Sequence, residues 1–217
     1  SKSHINKFLK LFISFLYKEG LKNSNCIIFQ NPDDREELRK LKIINKNQNT
    51  SRVWGSGVDL EDFKQEPIPD SQVFLMVSRL LIEKGVYEFV KAASIIKKKY
   101  PNVIFRLIGG VTSDKYSLID QNFLRQYINI GVIEYLGEIP FHKIKGEIAK
   151  CRYFVLPSYR EGTPRSVLEA LSVGRPIITT DTVGCRETVI DNLNGKLVKP
   201  RNVEDLAKKM ELLLNLD

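Results

Sequence analysis

Glu161 and Glu169 flank the predicted start of a helix, and two carboxylates placed in this way could accept hydrogen bonds on either side of a bound anion. Thr163 is a good N-cap for that helix, and Pro164 suits its first position, where a missing N–H costs nothing. The unpaired N–H groups of residues 163–166 would attract a phosphate. The alternative is that both glutamates are solvated charges, which the helix dipole favours near an N-terminus.

The segment around these glutamates is predicted to form a buried strand, a loop and a helix. Residues 154–156 are an apolar run that predicts the strand. Val167, Leu168 and Leu171 recur at helical spacing, and Gly174 is a typical end of a helix. A nucleotide sugar has a layout that matches the site, because its diphosphate lies between the hydroxyls of a ribose and those of a hexose.

Arg79 and Lys84 form a second candidate site for an anion. Arg79 ends a predicted strand at residues 72–78, and Lys84 is expected at the start of a helix over residues 83–100. A lysine at that end of a helix opposes the dipole, so an anionic ligand would account for its position. The alternative is a pair of exposed basic side chains without a ligand.

From residue 72 onward, predicted strands and helices alternate. Further strands are expected at 103–110, 132–136, 154–158, 176–181 and 196–200, and helices at 116–130, 141–150, between the last three strands and after them. This order predicts an α/β fold with a doubly wound parallel sheet. Ligands bind such sheets at the carboxyl ends of the strands, where Arg79, Gly109 and Glu161 fall. The G-x-G-x-x-G dinucleotide pattern fails after Gly110.

Several motifs resemble one enzyme family. EGTPRSVLE at 161–169, followed by ALSVGRPIITTDTVGCRETV and NGKLV, closely resembles the C-terminal, nucleotide-sugar-binding domain of retaining glycosyltransferases of family 4. Two glutamates separated by seven residues are that family's signature. Three more stretches match in the family's order: WGSGVD at 54–59, VSRLLIEKG at 77–85 and YLGEIP at 135–140. The segment after Tyr159 is most similar to bacterial transferases that build surface polysaccharides on a lipid carrier.

The resemblance implies the Rossmann-like half of a GT-B fold and a diphosphate site within it. Arg79 and Lys84 would hold the diphosphate of the donor. The helix start would contribute to the same electrostatic role through Thr163, Pro164, Arg165 and Ser166.

Other motif residues would bind the remaining parts of the donor. By resemblance, Glu169 holds the ribose hydroxyls and Glu161 contacts the sugar as the catalytic residue. Gly57 belongs to the loop that borders the donor site in the family. Leu136 and Gly137 belong to the stretch that cradles the base.

The expected reaction is the transfer of a hexose or N-acetylhexosamine from a nucleotide diphosphate sugar, UDP-linked, with retention of configuration. The acceptor would be a glycan or a polyprenyl-diphosphate-linked molecule in the biosynthesis of a bacterial polysaccharide such as a capsule. We expect no cofactor and no metal, because there is no convincing D-x-D loop and no cluster with metal-ligand spacing. Two other interpretations stay open: a GT-B-fold nucleotide-sugar epimerase and a non-catalytic nucleotide-binding α/β module.

Composition indicates where such a protein would work. The 217 residues carry a net charge of +8, which suits an anionic substrate or membrane surface, and no nucleic-acid motif is present. Three widely spaced cysteines indicate reduced thiols in a cytosol. No apolar stretch approaches the roughly 18–20 residues of a membrane span. The expected location is therefore cytoplasmic, with peripheral association with the inner membrane as a further expectation.

The N-terminal part is predicted to belong to a second domain. Residues 5–19 form an amphipathic helix that would pack on a neighbouring domain or lie on a membrane. Residues 26–31 predict a strand, and Pro32 opens another helix. We interpret residues 1–52 as the end of an acceptor-binding domain and 53–217 as the donor-binding domain. On this interpretation the chain alone is expected to be inactive in transfer.

Overall fold

A computed structural model describes residues 2–111 and 118–216, with side chains from residue 8 onward. The chain forms two compact units, Ser1–Ser56 and Gly57–Asp217. Whether the first unit is the end of an acceptor-binding domain stays a prediction.

The first unit contains four elements, and the first three were predicted. They are α1 (Lys2–Leu21), β1 (Ile27–Phe29), α2 (Pro32–Lys40) and β2 (Thr50–Arg52). β1 and β2 pair in parallel above a small core in which Ile27 and Phe29 pack with Ile43 and Ile44. In this region the sequence had indicated only the loop that contains Gly57. A strand of three residues carries too little apolar pattern to be recognised without its partner.

Apolar side chains of α1 are exposed to an unusual degree. At least half of the surface of Phe8, Leu9, Phe12, Phe15 and Leu16 is accessible. Among the described residues, no helix is both long enough and apolar enough to cross a membrane.

The second unit is a six-stranded parallel sheet with helices, as predicted. Its strands are β3 (Val73–Val77), β4 (Ile104–Ile108), β5 (Glu134–Tyr135), β6 (Tyr153–Leu156), β7 (Ile177–Thr180) and β8 (Gly195–Val198). Its helices are α3 (Val86–Lys99), α4 (Gln121–Asn129), α5 (Phe141–Ala149), α6 (Arg165–Ser172) and α7 (Val203–Leu214). All residues of β6 and β7 are buried, so the centre of the sheet is covered on both faces.

The strand order places a ligand crevice at a defined point of the sheet. The order is β5-β4-β3-β6-β7-β8, so the chain builds outward from β3 in one direction and then from β6 in the other. Right-handed crossovers therefore place helices on opposite faces on the two sides of this reversal. The carboxyl ends of β3 and β6 are adjacent there, and doubly wound sheets bind ligands at such a point.

The helices predicted after β3, β4 and β7 differ in the structure. A 3₁₀ turn at Ile82–Lys84 precedes α3, and Gly85, with φ of 76°, separates the two. α4 begins only at Gln121, and the predicted helical residues 116–117 lie outside the described residues. Between β7 and β8 the described chain has no α-helix but a 3₁₀ turn at Arg186–Thr188.

Candidate functional site

A cleft of about 430 Å³ opens at the carboxyl ends of β3 and β6. The charged side chains that line it are Arg79, Lys84, Glu138, Glu161, Arg165 and Glu169. A smaller cavity of about 230 Å³ lies at the amino-terminal ends of β6 and β8, beside Arg152 and Gly195. Because parallel sheets bind ligands at the carboxyl edge, we place the functional site in the larger cleft.

Backbone contacts join the turn after β3 to the loop after β6. The Glu83 carbonyl accepts hydrogen bonds from the Tyr159 N–H at 2.8 Å and from the Ser158 hydroxyl at 3.0 Å. Gly85 packs so closely on this loop that an added Cβ would lie 2.1 Å from the Pro157 carbonyl oxygen. The segments that carry Lys84 and Glu161 are thereby held side by side.

Lys84 and Glu161 form an ion pair across this junction. Lys84 Nζ lies 2.6 Å from Glu161 Oε1, and the two side chains are only 16% and 13% exposed. The Glu161 N–H donates to the carbonyl of Val183, which fixes the backbone of the glutamate from its other side. The sequence had placed Lys84 in the first turn of α3, which is wrong, because Gly85 ends the 3₁₀ turn before the helix begins. The dipole argument for Lys84 therefore does not apply, but Lys84 does line the cleft, and its role in binding a diphosphate stays a prediction.

Glu169 is the second carboxylate of the cleft and is almost fully buried in α6. Its Oε1 accepts a hydrogen bond from Arg165 Nε at 2.9 Å, one helical turn away. Burial raises the pKa of the Glu169 carboxyl, and the charge of Arg165 opposes this only in part. Because Glu169 lines the cleft, its carboxylate could accept hydrogen bonds from a hydroxyl of a ligand bound there.

This raised pKa leads to a prediction about stability. The folded protein binds a proton on Glu169 more tightly than the unfolded chain does. Protonated Glu169 therefore stabilises the fold at low pH, and this contribution is lost as the pH rises through the pKa of Glu169 in the folded protein. Glu169→Gln should therefore raise the melting temperature at pH 7 by about 1–3 °C, the size expected for a change of up to 1 kcal/mol. The gain should shrink toward pH 4. Scanning calorimetry at both pH values, with the Arg165→Gln variant to measure the loss of the ion pair, checks this.

The start of α6 differs from the prediction by one position. Pro164 has an extended backbone, with ψ of 110°, and its carbonyl accepts hydrogen bonds from the N–H groups of Val167 and Leu168. Pro164 is therefore the N-cap and Arg165 is the first helical residue, while Thr163 precedes the cap. The predicted end is confirmed, because the Gly174 N–H donates to the carbonyl of Leu171 in a typical glycine C-cap.

Most of the predicted site residues meet in the cleft, but some do not. Besides the charged groups, Pro164 and Ser166 line it. Thr163, Gly57, Leu136 and Gly137 are not among its lining residues. Gly137 is nevertheless close to it, since its carbonyl accepts a hydrogen bond from the Gly109 N–H at 2.9 Å. The roles predicted for these four residues stay predictions.

Among the side chains that line the cleft, sequence reasoning missed Glu138 and Phe141. The carboxylate of Glu138 lies against Gly110, where an added Cβ would be 2.3 Å from its Oε2. Phe141 is half exposed, and its ring centroid lies 4.8 Å from the Arg165 guanidinium. Both residues lie in or beside YLGEIP, so that motif could have indicated them. Within the described residues, no three His, Cys, Asp or Glu side chains are grouped as metal ligands would be.

Residues 58–217 match the family model of the glycosyl transferases group 1. The chain belongs to this family. The resemblance found in the sequence motifs is thus confirmed, and with it the assignment to a glycosyltransferase family.

Bacterial enzymes of surface polysaccharides are among the similar proteins. The chain is 33% identical over 220 residues to the N,N'-diacetylbacillosaminyl-diphospho-undecaprenol alpha-1,3-N-acetylgalactosaminyltransferase of Campylobacter jejuni, covering 95% of this chain and 55% of that protein. It is 30% identical over 198 residues to a capsular polysaccharide biosynthesis glycosyltransferase of Staphylococcus aureus, covering 82% and 50%. The chain therefore spans about half the length of these relatives.

Solved glycosyltransferase structures share the fold. A sucrose-phosphate synthase from Thermosynechococcus elongatus superposes with a TM-score of 0.76 at 24% identity, over 93% of this chain and 52% of that one. HepE of Anabaena, solved in complex with UDP, gives 0.75 at 20% identity, over 88% and 54%. The predicted α/β architecture of a GT-B fold is confirmed.

Proposed function

We propose that this chain supplies the donor-binding half of a retaining, metal-independent glycosyltransferase of bacterial polysaccharide biosynthesis. It would bind a UDP-sugar and serve the transfer of a hexose or N-acetylhexosamine to a lipid-linked or glycan acceptor. The observation that carries the proposal is the cleft at the β3–β6 switch point, where Arg79 and Lys84 face the carboxylates Glu161 and Glu169.

The charges of the cleft suit the leaving group of this reaction. When the bond between the sugar and the diphosphate breaks, negative charge develops on the diphosphate. Fixed positive groups near that charge lower the barrier, and Arg79, Lys84 and the start of α6 would supply them. Glu169 would accept hydrogen bonds from the ribose hydroxyls, and Glu161 would lie beside the sugar at the reacting carbon.

Similar proteins support the choice of donor and acceptor. The relative from Campylobacter jejuni is named for a diphospho-undecaprenol acceptor, and HepE was solved with UDP. By likeness we propose a nucleotide-sugar donor for this chain and a polyprenyl-diphosphate-linked acceptor for the whole protein. The reaction would take place in the cytoplasm, with the anionic inner-membrane surface as a partner of this basic chain.

The direct test is titration calorimetry of the chain with UDP, GDP and ADP. Saturable binding of UDP supports the proposal, and binding of none of them would overturn it in favour of a module that binds other partners. Incubation of the full enzyme with a UDP-sugar and no acceptor separates the remaining alternative. Conversion of the sugar to its epimer under those conditions would indicate an epimerase.

UDP binding should survive chelation of metals and weaken with salt. Side chains and backbone groups would hold the phosphates, so EDTA should change the dissociation constant by less than about twofold. Raising the salt concentration from 0.05 to 0.5 M should weaken binding several-fold, since the Debye length falls from roughly 14 to 4 Å. Calorimetry in matched buffers measures both effects. Loss of binding in EDTA that manganese or magnesium restores would contradict metal independence.

The 217-residue chain alone should bind the nucleotide but transfer no sugar. Its relatives are about twice as long, and acceptor recognition is expected in the part that they have in addition. A radiolabelled transfer assay with lipid-linked acceptors measures this, with the full-length enzyme as the positive control. Robust transfer by the chain alone would show that it already contains an acceptor site.

A further inference from the structure

The ion pair between Lys84 and Glu161 gives the cleft a property that the proposed function does not require. Lys84 Nζ donates a hydrogen bond to Glu161 Oε1 at 2.6 Å, and more than four fifths of each side chain is buried. Arg79, in contrast, is exposed and has no ion pair among the described residues. The two cations offered to a diphosphate are therefore not equivalent.

A lysine ammonium is a compact positive charge. While a carboxylate is bound to it, the ammonium attracts a second anion less strongly. The backbone holds both partners close together, because the N–H of Tyr159, two residues before Glu161, donates to the carbonyl of Glu83, the residue before Lys84, at 2.8 Å. A diphosphate that approaches Lys84 therefore competes with the Glu161 carboxylate for the ammonium, and full access to Lys84 requires side-chain rotation and the loss of that contact.

We infer that Glu161 is a specificity-determining residue, because it competes with the ligand for Lys84. Only an anionic group that attracts the ammonium more strongly than one carboxylate does, such as a diphosphate, recruits Lys84. A neutral nucleoside gains nothing from it. The exchange also releases the Glu161 carboxylate when the diphosphate binds, so that its oxygen is available beside the sugar. This inference rests on the proposed function and adds a role for Glu161 before the reaction.

A double-mutant cycle measured by titration calorimetry tests the competition. The proteins are the 217-residue chain, Glu161→Gln, Lys84→Gln and the double variant, and the ligands are UDP and uridine. Glu161→Gln should bind UDP about three- to thirtyfold more tightly, the range expected when a charged hydrogen bond no longer competes. Lys84→Gln should weaken UDP binding. When Lys84 is already replaced by Gln, adding Glu161→Gln should change UDP affinity less than about twofold. Neither substitution should change the affinity for uridine.

Glu138→Gln is the matched control. Glu138 lines the same cleft and carries the same charge, but it has no lysine partner among the described residues. Its substitution measures the general effect of removing one negative charge, which should be smaller than the effect at Glu161. Glu161→Asp is a second variant in case Glu161→Gln folds poorly. It keeps the charge but shortens the reach to Lys84, so UDP affinity should rise to a smaller extent.

The outcomes separate the two proposals. If the unmodified chain does not bind UDP, the proposed function fails. If it binds UDP but Glu161→Gln binds no more tightly, or more weakly, the competition is overturned and the proposed function stands. The competition would also be overturned if Glu161→Gln raised UDP affinity equally with and without Lys84, or if Glu138→Gln raised it as much. The gain would then reflect only the removal of one negative charge from the cleft.

Discussion

Glu169→Gln is expected to lower the affinity for UDP about ten- to a hundredfold, because hydrogen bonds to a charged group are worth roughly 1.5–3 kcal/mol. Glu169 is almost fully buried in the wall of the cleft, and its one hydrogen-bond partner within α6 is Arg165. Gln keeps the shape but donates and accepts weakly, so the ribose hydroxyls would lose a strong acceptor. Titration calorimetry with UDP measures the loss.

The same substitution should not unfold the protein, which separates binding from stability. Removing a buried charge whose pKa is raised by burial favours the folded state, so the variant should melt no lower than the unmodified chain at pH 7. Glu138→Gln serves as the control for an exposed carboxylate of the same cleft. Unchanged UDP affinity in Glu169→Gln would contradict the ribose role of Glu169.

Gly85→Ala is expected to destabilise the second unit by roughly 2–5 kcal/mol. A residue with a side chain at φ of 76° costs about 1–2 kcal/mol, and overpacking adds roughly 1–3 kcal/mol. The overpacking arises because the new Cβ would lie 2.1 Å from the carbonyl oxygen of Pro157, which is backbone and has little room to shift. At about 2–4 °C per kcal/mol, the melting temperature should fall by about 4–20 °C in scanning calorimetry.

Gly131→Ala isolates the contribution of the clash. Gly131 has a similar φ of 71°, but an added Cβ there would meet nothing within 4 Å. Gly131→Ala should therefore lower the free energy of unfolding only by the cost of a side chain at positive φ, about 1–2 kcal/mol. Equal losses at both positions would show that the turn after β3 is not packed tightly against the loop that carries Glu161.

The fold of the second unit could be predicted from the sequence because its signals are local. Residues 73–77 and 153–156 are apolar runs bounded by turn residues, and these became β3 and β6. Strand and helix alternation then implies a parallel sheet, and the site must lie at its carboxyl edge. Arg79, Lys84, Glu161 and Glu169 could be named as candidates because their motifs each follow a predicted strand. None of these inferences needs a contact between distant residues.

Helix boundaries depended on contacts that the local sequence does not contain. Gly85 interrupts the predicted helix because it must approach Pro157, which is 72 residues away in the chain. Pro164 is the N-cap because its backbone is extended at the end of the loop that follows β6. Proline is equally suited to a first helical turn, so its residue type did not decide between the two positions. β2 exists only through its pairing with β1.

The electrostatic state of the site was decided by tertiary structure alone. Lys84 and Glu161 are 77 positions apart, and only the adjacency of β3 and β6 brings their charges within 2.6 Å. The raised pKa of Glu169 follows from burial in the wall of the cleft, which helical spacing does not reveal. Residue types and spacing determined which groups could bind a diphosphate and a sugar. Packing decided which of them are paired with each other, because charge pairing depends on distance and burial and not on order in the chain.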